Sequence, residues 1–317
     1  MKFPSRSPFA LFLVLAALLH ASAQIVDPVT HASDLARAGK AKEAEEVLRS
    51  AVAQDPDSAA LHGALGKLLF TEANYPDAVQ ELNQAEQLDA DSREYNMLLA
   101  ASLLGAKRDG VARNFLLAIE PRFTQYPEFH YSLGLAYYNM AQIAKSEEEL
   151  QKAIQIDPKM DRANFLLAAC LASEGEFAKA STTLRSLVRL HPDNAIYWST
   201  LADTLRQQGP ASRPEALRAC HKALALKPHD PHSQFVMATI LLDAKDYAGA
   251  RTLLEHLEQV NPREMEAHVQ LARVYARLGK ENLAKQESHI AAELQKERAA
   301  ERSSSSGAAD GNPLEQR

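Results

Sequence analysis

The sequence predicts an all-α fold, a solenoid of tandem helix-turn-helix repeats, and three columns of residues carry that expectation. Alanine or glycine stands at Ala32, Gly66, Ala100, Gly134, Ala168, Ala202, Ala238 and Ala272, one every 34 positions except for a 36-residue step after Ala202. A second small column follows at Ala44, Ala78, Ala112, Ser146, Ala180, Ala216, Ala250 and Ala284. Helix-stopping prolines recur at Pro56, Pro158, Pro192, Pro228 and Pro262. A period of this length is that of a stacked helix pair.

Each period divides into two amphipathic stretches. In the fifth, residues 162–173 space their apolar side chains as a helix does, Glu174-Gly175-Glu176 breaks the pattern, residues 177–190 resume it, and His191-Pro192-Asp193 ends it. Proline lacks the amide hydrogen and clashes with the preceding turn, so it stops a helix. The departures predict local differences. The second repeat ends on Ala90 instead of proline. The third has Thr124 there between Pro121 and Pro127, so its second helix is predicted to end early and to be a soft spot. The sixth carries two extra residues in its internal turn, residues 207–214, where an exposed insertion costs little. A charged helix over residues 286–302 is predicted to cap the last repeat. Residues 303–317, opening on four serines, are too polar to bury a core and are predicted disordered.

Three of the repeats carry a recognisable pattern. The fourth reads Leu133-Gly134-x-x-Tyr137, then Ser146, Leu150, Ala153 and Pro158. The sixth opens Trp198-x-x-Leu201-Ala202-x-x-Leu205, and the eighth has Leu271-Ala272-x-x-Tyr275. In these residues and spacings the chain resembles the tetratricopeptide repeat family. Eight units fit within the solenoid domain, residues 24–302. The resemblance implies a right-handed α-solenoid whose concave groove holds a segment of a partner protein.

Composition narrows the function. The chain has 317 residues, 46% of them hydrophobic, and a net charge of −6, which allows a packed core and offers no basic platform for nucleic acid. Lys2 and Arg6 precede an apolar stretch from Phe9 to Leu19, and Ala21-Ser22-Ala23 supplies a small-x-small pattern. Residues 1–23 are therefore expected to be a signal peptide cleaved before Gln24. The protein is expected to be exported, into a bacterial periplasm or beyond the cell. No later stretch is long and apolar enough to span a bilayer. Cys170 and Cys220 fall on helices that are not neighbours in the register, so buried free thiols are expected over a disulfide.

The sequence offers little for catalysis. His229-Asp230-Pro231-His232 is its densest ligand-like cluster, but it falls at a junction between repeats where a polar turn belongs. No phosphate loop, dinucleotide fingerprint or nucleophile elbow occurs. No enzyme activity, cofactor or metal is expected.

On the first helix of each repeat, positions two, five, nine and twelve form a stripe turned away from the partner helix; by the family resemblance it lines the groove. Here it is apolar in the middle of the chain: Phe70, Met97, Leu104, Tyr131, Leu135, Tyr138, Phe165, Phe235 and Leu242. Asp203, Arg206, Arg273 and Arg277 add charge toward the end. The family's carboxylate clamp has no counterpart, since Gly63, Met97, Tyr131 and Phe165 occupy those places. The expected function is a non-catalytic scaffold of the cell envelope, with Tyr131, Tyr138 and Phe165 as primary contacts for apolar anchors and the arginines selecting acidic residues. Packing of this stripe against the next repeat is the competing role. A self-assembling envelope protein is the alternative function, and an accessory factor in polysaccharide export ranks below it.

Overall fold

The structure, a computed structural model, describes residues 27–309. Among these residues sixteen α-helices follow in tandem and no strand occurs. They are α1 (Pro28–Arg37), α2 (Ala41–Gln54), α3 (Ala59–Thr71), α4 (Tyr75–Leu88), α5 (Arg93–Gly105), α6 (Asp109–Phe123), α7 (Pro127–Asn139) and α8 (Ile143–Ile156). The series continues with α9 (Asp161–Ser173), α10 (Phe177–Leu190), α11 (Ala195–Gln208), α12 (Arg213–Leu226), α13 (Pro231–Asp243), α14 (Tyr247–Val260), α15 (Met265–Arg277) and α16 (Glu281–Ala309). This is the α-solenoid the sequence predicts, eight helix-turn-helix units in register.

Two compact units divide the chain, one ending at Lys145 and one beginning at Ser146. The core of the first runs from Ala32 through Leu48, Leu65, Leu82 and Leu103, with a second cluster around Leu116, Phe123, Phe129 and Leu133. In the second unit, one cluster gathers Leu184, Leu201, Leu205 and Ile240 and another Leu254, Leu271 and Val274. Ala44, Ala78, Ala112, Ser146, Ala180, Ala216 and Ala250 are all fully buried, because these are the points where backbones come closest. At Gly66 the space is smaller still: an added Cβ would stand 2.5 Å from Leu82 Cγ.

The turns inside the hairpins share one geometry. Gly39, Ala73, Lys107, Ala141, Gly175, Lys245 and Gly279 all have left-handed φ, between 57° and 80°. Each is followed by an amide that donates to a carbonyl five residues earlier, as Lys40 to Leu35 at 2.9 Å and Glu176 to Leu171 at 2.8 Å. This closure satisfies carbonyls that a helix end leaves orphaned. The sixth hairpin departs where the insertion lies. Gly209 takes φ 123°, which favours glycine, and a short 3₁₀ turn over Pro210–Ser212 leads into α12.

Two boundaries differ from expectation. Helix α6 does not end early: it passes through Pro121 to Phe123. Phe123 is buried against the Phe129 cluster, and Arg122 Nη1 donates to the Ala90 carbonyl at 2.7 Å. Those contacts hold the last turn although Pro121 removes one of its hydrogen bonds. Helix α16 continues to Ala309, past the expected start of the disordered tail at Ser303. No proline interrupts it before Pro313, and each added residue gains a backbone hydrogen bond. The expected signal peptide, residues 1–23, and residues 310–317 lie outside the described residues. Among the described residues no helix is long and apolar enough to cross a membrane.

Candidate functional site

The junctions between hairpins are held by a recurring side-chain clasp. Four residues into the first helix of the second to eighth hairpins stands a side chain with an N–H, and it donates to the backbone carbonyl six residues earlier. The donors are His62 to Pro56 (2.9 Å), Asn96 to Ala90 (2.9 Å), His130 to Thr124 (2.9 Å) and Asn164 to Pro158 (3.2 Å). Trp198 to Pro192 (2.9 Å), Gln234 to Pro228 (3.0 Å) and His268 to Pro262 (2.9 Å) complete the set. A carbonyl only accepts, so each imidazole carries its proton on Nε2. The sequence reading misses this column because its members differ in chemistry, although they keep the 34-residue period with its one 36-residue step, from Trp198 to Gln234.

In the first unit the groove stripe stands on α3, α5 and α7. Phe70 is partly buried and meets Tyr75 edge-on, with ring centroids 5.8 Å apart. Met97 packs on the Phe129 cluster and Leu135 on the larger core, each with part of its surface exposed. Leu104 is buried, 6% exposed, and so has no surface for a partner. Along α7 the pattern is sharper. Tyr131, Leu135 and Tyr138, spaced i, i+4, i+7, are partly exposed, while Phe129, Leu133, Ala136 and Tyr137 on the same helix are buried. Glu128 heads the same stripe, and its Oε2 is buried without a hydrogen-bond partner among the described residues.

In the second unit the apolar positions of the stripe are likewise part packed and part exposed. Phe165 lies 5.1 Å from the Tyr197 ring and packs on the core, as Phe235 does on the last cluster. Leu242 is buried. Arg206 is already paired, donating to Asp203 at 3.0 Å and to Asp243 at 3.4 Å. Both partners lie within the second unit, Asp203 on α11 and Asp243 on α13. Arg273 is exposed and donates to Gln270 at 2.8 Å. Arg277 is exposed but stands one residue past the stripe, whose twelfth position in that repeat is Ala276; at about 100° per residue it turns off the stripe's line.

Other polar groups resolve into structural roles. Asp230 caps α13, accepting from Ser233 N at 2.7 Å and Ser233 Oγ at 2.6 Å, with Pro231 in the first turn. The histidine-flanked cluster is therefore a helix start. Cys170 and Cys220 are free and buried. Burial pushes the Cys220 thiol up to about 12, so it stays protonated and unreactive.

One cluster has no counterpart in the sequence reading. Glu258 on α14, His268 on α15 and Glu287 on α16 bring one ligand atom each within 4.8 Å of one another. His268 and Glu287 are 2% and 5% exposed, and His268 Nδ1 lies 2.7 Å from Glu287 Oε2. Burial alone would lower the imidazole, but its hydrogen bonds to Glu287 and Pro262 hold it above its ordinary value. Burial, and then Glu287, push the Glu258 carboxyl up. In the first unit His62 and Glu81 form the same 2.7 Å pair, and Val52 holds the register place of Glu258.

Comparison with known proteins places this geometry. A family model for the tetratricopeptide repeat matches residues 35–102, 140–203 and 213–268. The peroxisomal targeting signal receptor of Kluyveromyces lactis is 24% identical over 223 residues, 69% of this chain and 39% of the receptor. A tetratricopeptide repeat and J domain-containing co-chaperone of Cryptococcus neoformans is 29% identical over 159 residues, 50% of this chain and 27% of the co-chaperone. The chain thus spans less than half the length of either relative. A tetratricopeptide repeat protein from Parabacteroides merdae superposes with a TM-score of 0.61 at 16% identity, over 81% of this chain and 97% of that one. Yeast Tom70 does so at 0.55 and 16% identity, over 87% and 61%. These structures share the fold.

Proposed function

The chain belongs to the tetratricopeptide repeat family, a family of protein–protein interaction scaffolds, and from that premise we propose that it holds a segment of another protein on the α7 stripe of its first unit. The observation that carries this reading is the face of α7. Between Phe129 and Tyr138 the helix is buried except along Tyr131, Leu135 and Tyr138, which are large and partly exposed. Met97 stands at the matching position of α5. Folding one hairpin does not require aromatic side chains on that face, and an aromatic anchor buried by a partner contributes about 2 kcal/mol or more. A relative named for receiving a targeting signal is consistent with recognition of a short segment.

Selection from a displayed peptide library tests this. The enriched peptides are expected to carry spaced apolar residues, and a Tyr131→Ala, Tyr138→Ala variant of unchanged helicity is expected to bind them at least thirtyfold more weakly. Undiminished binding would remove the stripe from the function.

The proposed setting is the envelope of a bacterial cell, reached by export. Lys2, Arg6, the apolar stretch Phe9 to Leu19 and Ala21-Ser22-Ala23 support it. N-terminal sequencing of the protein isolated from cells decides this: a start at Gln24 is expected, and a start at Met1 on protein recovered from cytosol would overturn it.

A further inference from the structure

We propose that Glu258, His268 and Glu287 form a binding site for a first-row divalent cation, with zinc the best fit. Three features set this cluster apart from an ordinary acidic patch. First, the imidazole is already oriented as a ligand. Its Nε2–H donates to the Pro262 carbonyl at 2.9 Å, which leaves Nδ1 to face the carboxylates. That outer hydrogen bond is the usual device for fixing the tautomer and direction of a metal-bound histidine. Second, the three ligand atoms lie within 4.8 Å of one another. A tetrahedral zinc with bonds of about 2.0–2.1 Å wants its ligands roughly 3.3 Å apart, so side-chain rotations suffice to seat it. Third, two carboxylates and a neutral imidazole carry the charge that one divalent cation neutralises. One nitrogen and two oxygens suit zinc better than magnesium, which prefers oxygen alone.

The His62–Glu81 pair supplies a built-in baseline. It has the same proton-sharing contact and the same carbonyl clasp, to Pro56 at 2.9 Å, with Val52 in place of the third ligand. The pair by itself is therefore a structural clasp, and Glu258 is the addition that turns it into a ligand set. Glu258 is partly exposed, which leaves the cation a way in while His268 and Glu287 stay buried. On binding, the proton now shared by His268 and Glu287 leaves to solvent and the cation takes its place. The bound ion ties α14 to α15 and α16 and stabilises the end of the second unit.

The test is a zinc titration of the full chain against Glu258→Val, which copies the baseline pair, and Glu258→Gln, which keeps the side chain's size. Each variant is expected to take up one equivalent of zinc fewer at micromolar concentration, or to hold it at least tenfold more weakly. Saturating zinc is expected to raise the thermal midpoint of the unaltered chain by roughly 5 °C and that of the variants by much less. Magnesium is expected to leave all three unmoved. Equal zinc uptake and equal midpoint shifts in the three proteins, no uptake by the unaltered chain, or an equal shift from magnesium would each overturn the site.

Discussion

The same register positions carry different chemistry in the two units. In the first, the α7 stripe keeps Tyr131, Leu135 and Tyr138 partly exposed above a buried aromatic cluster. In the second, Phe165 and Phe235 are partly exposed too, each packed on a core cluster, but α11 carries Asp203 and Arg206 at the stripe's ninth and twelfth places, and Arg206 is paired with Asp203 and Asp243. A repeat register therefore assigns a position to a face without deciding whether that face is consumed by packing. That depends on what the next repeat places opposite it.

The largest test of this contrast is a pair of truncations. Phe129 is fully buried in the first unit, so Phe129→Ala is expected to destabilise by about 3–5 kcal/mol. Phe165→Ala removes a partly exposed ring and its contact with Tyr197, and about 1–2 kcal/mol is expected. Hydrogen exchange of the full chain assigns each loss to its own unit, because a stacked array opens locally. Equal losses would mean that Phe165 is as much a core residue as Phe129.

The small column gives the next contrast. Gly66→Ala drives a Cβ to 2.5 Å from Leu82 Cγ and 3.2 Å from its backbone nitrogen. This overpacking is expected to cost about 1–3 kcal/mol. In the second unit the matching residue is Ala202, fully buried. Ala202→Gly loses helix propensity and a methyl contact, about 1–2 kcal/mol. Denaturant titration measures both.

Smaller effects sit in the turns and on the surface. Ala73 in the first unit and Lys245 in the second hold left-handed φ of 58° and 66°. Ala73→Gly and Lys245→Gly are each expected to stabilise by about 0.5–1 kcal/mol by relieving that strain, read as a raised thermal midpoint. Smallest is the pair of Arg185 and Glu215, joined by two hydrogen bonds of 2.8 and 2.9 Å in the second unit. Arg185 holds the Glu215 carboxyl below its ordinary value of 4.5. A depressed carboxylate stabilises the fold above its unfolded value, and the contribution fades as pH falls from about 4.5 through the lower folded value. Both groups are over a third exposed, so solvent screening leaves at most about 1 kcal/mol. Glu215→Gln is expected to lower stability at pH 7 and to match the unaltered chain well below pH 4.

The sequence alone determined the repeat. Small residues every 34 positions mark backbone contacts that tolerate nothing larger, and prolines mark junctions no helix can cross, so helix number, pairing and turns were legible. Free, buried cysteines and the polar junction over residues 229–232 were legible too, while the cap that Asp230 makes there came from the structure. Pro121 does not end its helix, because the burial of Phe123 holds the last turn, and α16 runs on past Ser303 because polarity does not by itself end a helix. Only the tertiary structure decided the rest. It paired Arg206 with Asp203 and Asp243, and united His, Asn, Trp and Gln into one clasp that residue type conceals. It also brought Glu258 to His268 and Glu287 from a preceding hairpin. Period and turn chemistry are local properties of the chain, whereas exposure and convergence depend on which side chains the stacking of hairpins sets face to face.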